Sequence, residues 1–206
     1  MREKSLWQIQ TERNPQHSEW YIQRFKTMAE QGQDIWGEAR TLDAMLPRGA
    51  KVLDAGSGPG RLGTYLYERG HRVTGVDIDP KLIEEAQRVC PDATWKTADL
   101  TDLREVLGLA ADAELGVEGF DAILCAGNVM TFLAASTRLP VLENFRAVLK
   151  ESGRAVIGFG AGRGYDFAQF FEDAAAVGLR VEQKFSTWDL RPFTEDSNFL
   201  VAVLTR

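Results

Sequence analysis

The sequence predicts an α/β fold: a doubly wound, mostly parallel sheet whose last strand runs backwards, with helices added at the N-terminus. Three observations carry this expectation. From Lys51 onward, short β-branched runs alternate with helical patterns, as in strands joined by crossover helices. A glycine-rich loop, Gly56-Ser57-Gly58-Pro59-Gly60, sits where the first of these strands passes into its helix. Near the C-terminus two strand-like runs, 179–187 and 198–205, are separated by about ten residues, too few for a parallel return but enough for an antiparallel hairpin.

Residues 18–46 read as helical. Tyr21, Phe25 and Met28 form one apolar stripe, Ile35, Ala39, Leu42 and Met45 a second, and Gly32 divides the two. The first strand, 51–55, leads into a helix at 61–69 that Gly70 can end. The second, 72–76, leads into a helix at 80–89, with Asp79 as its N-cap and Pro80 in its first position. The third strand, 93–97, is followed by a stretch to 118 with no usable pattern. The continuous apolar run 120–126 is a buried strand, 139–150 a helix, and 154–160 a strand entered through Ser152-Gly153. A helix at 165–177, closed by Gly178, precedes the final hairpin.

Length and charge narrow the function. A chain of 206 residues favours one core with an appendage, here a helical extension or cap at 1–46 on an α/β domain at 47–206. The formal charge of −6 lacks the basic footprint of a nucleic-acid binder, so a small-molecule substrate is expected and nucleic acid is not. Cys90 and Cys125 form no C-x-x-C or Cys/His cluster, so neither a disulfide framework nor a metal site is expected. No run approaches the roughly 18 apolar residues of a membrane span, and no leader pattern opens the chain, which points to a cytoplasmic protein. The sequence leaves monomer and homodimer equally open.

A strand ending in Asp54, then glycines at 56, 58 and 60, then a helix, describes backbone brought close to a ligand at a helix N-terminus. Gly58-Pro59-Gly60-Arg61-Leu62-Gly63 also satisfies G-x-G-x-x-G, so a nicotinamide-dependent oxidoreductase is an alternative. Two details weigh against it. Asp54 places a carboxylate beside a loop that would have to welcome a pyrophosphate, and Pro59 spends one position on a residue without an N–H. A cationic ligand suits Asp54 better.

Val52-Leu53-Asp54-Ala55-Gly56-Ser57-Gly58-Pro59-Gly60-Arg61 resembles motif I of the class I S-adenosylmethionine-dependent methyltransferases, (D/E)-x-G-x-G-x-G, at every defining position. Three further segments align with it: Val76-Asp77-Ile78-Asp79 after the second strand, Ala98-Asp99-Leu100 after the third, and Phe120-Asp121-Ala122-Ile123 leading to Ala126-Gly127-Asn128 after the fourth. Leu149-Lys150-Glu151-Ser152-Gly153 matches the family's entry to its fifth strand.

The resemblance implies the strand order 3-2-1-4-5-7-6 and S-adenosyl-L-methionine as cofactor, with S-adenosyl-L-homocysteine as product. It implies that Gly56, Ser57, Gly58 and Gly60 pack on the methionine portion, and that Asp54 acts on its amino group, often through water. Asp77 would take the ribose hydroxyls, Ile78 would lie on the adenine, and Asp99, beside Leu100, would accept from the adenine amino group. Ala126, Gly127 and Asn128 would border the same ligand. Taken alone, Asp77 and Asp99 serve equally well as strand-end caps.

Methyl transfer from a sulfonium needs an in-line nucleophile rather than a metal or a strong acid, and no catalytic residue is nominated. Candidates for the acceptor are Trp20, Tyr21 and Arg24 on the N-terminal helices, Met130 and Tyr165 after the fourth and fifth strands, and Trp188 between the last two. The aromatic residues on those helices serve equally as packing, and Arg61 as a solvated surface charge. A non-catalytic S-adenosylmethionine-binding protein would share the cofactor motifs.

Overall fold

The computed structural model describes residues 2–110 and 113–206. Residue 1 of the expected extension, and 111–112 of the unpatterned stretch, lie outside the described residues. Helices α1 (Leu6–Arg13), α2 (His17–Glu30) and α3 (Gly37–Ala44) come first. They are followed by β1 (Lys51–Ala55), α4 (Arg61–Glu68), β2 (Arg72–Asp77), α5 (Pro80–Val89), β3 (Thr94–Thr97) and α6 (Leu103–Val106). The second half contains β4 (Phe120–Cys125), α7 (Val129–Phe132), α8 (Arg138–Val148), β5 (Leu149–Gly160), α9 (Phe167–Ala176), β6 (Arg180–Phe185) and β7 (Phe199–Thr205).

The strands form one seven-stranded sheet in the order 3-2-1-4-5-7-6, with β7 antiparallel to both β5 and β6. The expected topology is therefore the one observed. Its physical basis is legible in β1, where successive side chains point to opposite faces. Leu53 and Ala55 join a core with Leu103, Leu142, Phe145 and Phe170, on the side of α6, α8 and α9. Val52 faces Leu42, Leu62, Leu66 and Ala86, contributed by α3, α4 and α5. Cys125 is fully buried as a small hydrophobe, and Cys90 is buried as well.

Local chemistry sets most boundaries where the sequence places them. Asp79 caps α5 by accepting from Lys81 N at 2.9 Å, with Pro80 at the first position. Gly70 (φ +85°) and Gly178 (φ +81°) follow the ends of α4 and α9. Several elements differ from expectation, the short α7 among them. No helix is expected before residue 18, yet Ser5 and Gln8 close a reciprocal capping box that starts α1. The strand expected at 154–160 begins at Leu149, which pairs with Phe120 before Ala122 pairs with Arg154. The intervening residues on β5 form a bulge. Among the described residues, the unpatterned stretch after β3 holds α6 and short 3₁₀ turns. Among the described residues, no helix is long and apolar enough to cross a membrane.

Candidate functional site

β1 and β2 run parallel in register, Ala55 opposite Val76, so Asp54 and Asp77 come to neighbouring strand ends; Asp99 follows β3. Strand order reverses between β1 and β4, where an open α/β sheet leaves a crevice beyond the carboxyl ends of its strands. A cavity of about 420 Å³ occupies that crevice. Gly56, Gly58, Asp77, Ile78, Asp99, Leu100, Gly127 and Asn128 all line it. Four separate sequence segments thus converge on one site.

Four other expected residues support the site from behind. Asp54, Ser57 and Ala126 are buried outside the lining, and Gly60 (φ +78°) is the left-handed N-cap of α4. Two glycines are required by geometry. A Cβ on Gly56, itself at φ +77°, would stand 2.4 Å from the nearer methyl of Val129, and one on Gly60 would meet Ala86 and Trp95 at 2.8 and 2.9 Å.

The loop's amides are all spent inside the protein. Gly56 N and Ser57 N donate to Val76 O at 2.8 and 3.1 Å, Gly58 N to Asp77 Oδ2 at 2.8 Å, and Gly60 N to Ser57 O at 3.1 Å. Pro59 has no N–H. A diphosphate would find no free donor here, in contrast to phosphate loops, which present their amides to the ligand.

The acids are held in two ways. Burial pushes the Asp77 carboxyl up to about 6, against the opposing pull of the N–H groups of Asp79 and Gly58. Asp54 is pushed further by burial, to about 7, although the nearby Arg61 charge and the Gly63 N–H favour its ionised form. Its Oδ2 has no hydrogen-bond partner, and neither has Ser57 Oγ. A buried carboxylate with one oxygen left without a hydrogen bond favours further cationic company. Asp99 accepts from Thr101 N and Thr101 Oγ1 at 2.9 and 2.8 Å while still bordering the cavity, so it is a cap as well as a wall.

The acceptor candidates divide. Tyr21 and Arg24 line the cavity; a Cβ on Gly58 would lie 3.6 Å from the Tyr21 ring, and one on Gly127 would lie 4.0 Å from its hydroxyl. The structure does not bring the other four to the cavity. Trp20 is 55% exposed on the outer face of α2, stacked on His17. Met130 is fully buried because the left-handed turn at Gly127 and Asn128 phases α7 so that Val129 faces the loop and Met130 the core. Tyr165 stacks on Phe159 and donates to Asp173. Trp188 packs over Gly158, and its carbonyl accepts from Thr41.

Residues not singled out take their places. Trp7 on α1 meets Tyr21 edge-on at 5.2 Å and Phe132 at 6.0 Å, and all three line the cavity. The Ser5-x-x-Gln8 capping signature was the available signal for α1. Arg61 is not a solvated charge: its guanidinium lies 4.7 Å from the Phe25 ring centroid and pairs with both Glu38 oxygens at 3.0–3.1 Å, and it donates to Ile35 O. Arg163 lines the cavity from the loop after β5, within the strand-end segment 162–166 where the sequence places acceptor candidates.

Comparisons with known proteins agree with this arrangement. Residues 52–153 match a family model described as a methyltransferase domain. The crystal structure of a TehB-like SAM-dependent methyltransferase from Corynebacterium glutamicum ATCC 13032 is 51% identical, with a TM-score of 0.85, covering 94% of this chain and 100% of that one. A Burkholderia thailandensis 1,6-didemethyltoxoflavin-N1-methyltransferase, at 22% identity and a TM-score of 0.59, shares the fold across 89% of this chain and 87% of its own. Among curated sequences, YqeM of Bacillus subtilis (strain 168) is 26% identical over 144 residues, and the chain spans 53% of its length against 68% of its own. A tRNA (uracil(54)-C(5))-methyltransferase of Pyrococcus horikoshii matches at 37% over 79 residues, 38% of this chain but 17% of that protein. The chain therefore spans about half or less of these curated relatives. Its identity to the Corynebacterium structure extends over the whole of that protein, and the chain belongs to the S-adenosylmethionine-dependent methyltransferases.

Proposed function

We propose that the chain transfers a methyl group from S-adenosylmethionine to a small-molecule acceptor in the cytoplasm, with residues 1–46 acting as a cap on a catalytic domain at 47–206. The observation that carries the cofactor's part is the glycine loop, whose amides are consumed internally while a buried carboxylate with one oxygen unpartnered stands behind it. Such a loop favours a cation over a diphosphate, which argues against a nicotinamide cofactor.

When bound, the cofactor supplies a methyl group already activated by its sulfonium. The chain's residues contribute position and dryness. Asp77 would accept hydrogen bonds from the ribose hydroxyls, Ile78 and Leu100 would border the adenine, and Asp99 would accept from its amino group. Gly56 and Gly58 allow close approach of the methionine portion, beside Gly127 and Asn128. Asn128 is fixed by accepting from Gly160 N at 2.8 Å, and Asp54 offsets the ammonium charge from behind the loop.

The acceptor enters where Trp7, Tyr21, Arg24, Phe25 and Phe132 line the cavity. The N-terminal helices restrict this face, and the net charge of −6 opposes a polyanion, which together favour a small molecule over nucleic acid. The match to the tRNA methyltransferase involves only 17% of that protein and carries no acceptor information. The test is a melting assay. S-Adenosylhomocysteine at a hundredfold excess over its dissociation constant stabilises by about 2.7 kcal/mol, a rise of a few degrees for a chain of this size, and NAD(H) gives none. Stabilisation by NAD(H) alone refutes the proposal. Methyl uptake from labelled cofactor across small-molecule and RNA panels then separates the acceptor classes and distinguishes an enzyme from a binding-only protein.

A further inference from the structure

Asp79 has more partners than a helix cap requires. Its Oδ1 accepts from Lys81 N, and its Oδ2 accepts from Trp7 Nε1 at 2.8 Å on α1 and from Ser18 Oγ on α2. Its own N–H donates to Asp77 Oδ1 at 2.9 Å, and Asp77 Oδ2 holds Gly58 N. Asp79 is 6% exposed, so its contacts are buried or part-buried and charge-assisted. A continuous chain of hydrogen bonds runs from the glycine loop through Asp77 and Asp79 to α1 and α2.

The segment ahead of α1 closes the same cavity from above. Arg2 pairs with Asp102 through both terminal nitrogens at 2.6 and 2.7 Å, and Ser136 donates to Glu3 at 2.7 Å on the opposite side. Glu3, Ser5 and Trp7 all line the cavity. The Arg2 and Glu3 contacts are exposed and individually weak. Asp79 is the buried point at which α1 and α2 are both fastened.

We infer that Asp79 is a positioning residue, the latch that couples closure of the N-terminal helices to occupancy of the cofactor site through Asp77. The inference rests on the cofactor assignment proposed above. Closure over a bound nucleoside completes the wall formed by Trp7 and Tyr21, and release requires α1 to lift from Asp79. A ligand that orders Asp77 then slows its own escape, because Asp77 and the latch share a backbone link.

Capping and latching are separable by substitution. Asp79→Asn keeps an acceptor for Lys81 N, since asparagine caps helices as well as aspartate, but it removes the charge and presents an N–H₂ toward donors on Trp7 and Ser18. Trp7→Phe keeps a ring in the wall and deletes the donor. Two readouts are measured with S-adenosylhomocysteine as probe: its dissociation rate by stopped flow, and amide exchange across residues 6–30 with and without it. In the unmodified protein, the ligand is expected to slow exchange across 6–30. Asp79→Asn and Trp7→Phe each raise the dissociation rate, on the order of tenfold for loss of a charge-assisted bond, and abolish the ligand-dependent protection. Asp102→Asn, which breaks only the exposed contact, stays within about twofold. A lowered melting temperature with unchanged dissociation and protection would show Asp79 to be a cap alone, and ligand binding without added protection of 6–30 in the unmodified protein would likewise overturn the latch. Failure of S-adenosylhomocysteine to bind at all instead refutes the cofactor assignment, and the latch with it.

Discussion

Replacing Asp54 by asparagine separates what this residue costs the fold from what it gives the ligand. The carboxylate is buried behind the glycine loop with Oδ2 unpartnered, and burial raises it from its ordinary 3.8 to about 7. Between those two values the native state binds a proton that the unfolded chain has released. Stability therefore falls as pH rises through the window, and the contribution is gone above the folded-state value. A carboxyl raised this far carries about 4 kcal/mol of pH-dependent stability, of which about 3 kcal/mol is lost between pH 5 and pH 8.

The wild type minus Asp54→Asn difference reports this contribution together with its Coulombic coupling to Asp77, which burial raises to about 6 and which titrates in both proteins. Urea unfolding at four pH values without ligand should show the wild type losing stability relative to the variant by about 3 kcal/mol from pH 5 to pH 8. With S-adenosylhomocysteine the ligand's ammonium favours the ionised Asp54 carboxylate, so the ratio of wild-type to variant affinity rises across the same window, on top of the Asp77 titration present in both proteins. A pH-independent stability difference between the two proteins would mean that Asp54 ionises as an ordinary carboxylate, and the reasoning from burial would fail.

Two further substitutions probe the same crevice. Asp77→Ala is expected to weaken S-adenosylhomocysteine binding by about 1–3 kcal/mol, read by calorimetric titration, through lost charge-assisted hydrogen bonds; an unchanged titration would confine Asp77 to holding Gly58 and Asp79. Gly56→Ala forces a side chain into the left-handed region and against Val129, at a cost of about 2 kcal/mol or more in thermal unfolding. Adding Val129→Ala should recover part of that loss, and a Gly56→Ala melt equal to wild type would contradict the packing.

The topology was readable because each of its signals is local. The turn chemistry at Gly70, Asp79-Pro80 and Gly178 fixes element ends through nearest-neighbour backbone geometry, and the short connection before β7 excludes a parallel return whatever surrounds it. The cofactor side was readable for the same reason: a parallel sheet in register delivers the residues at the ends of β1, β2 and β4, and just after β3, to one edge, so spacing along the chain becomes proximity in space.

The acceptor side obeys different rules. Whether an aromatic residue faces the cavity or the core depends on the phase of the short helix or loop that carries it, and that phase is set by contacts distant in sequence. Val129 and Met130 are adjacent, yet the left-handed pair at Gly127-Asn128 turns one toward the glycine loop and buries the other. Trp7 reaches the site because its indole N–H finds Asp79, 72 positions away, and Arg61 leaves solvent because Glu38 and Phe25 arrive from the N-terminal helices. The Trp7 and Arg61 placements are each a part-buried polar group meeting its partner, and in both the partner belongs to, or is gripped by, the N-terminal helices. Sequence changes in those helices can therefore reshape the acceptor wall while β1 to β4 keep the cofactor edge unchanged, and acceptor preference should track residues 1–46 more closely than any of the strand-end motifs.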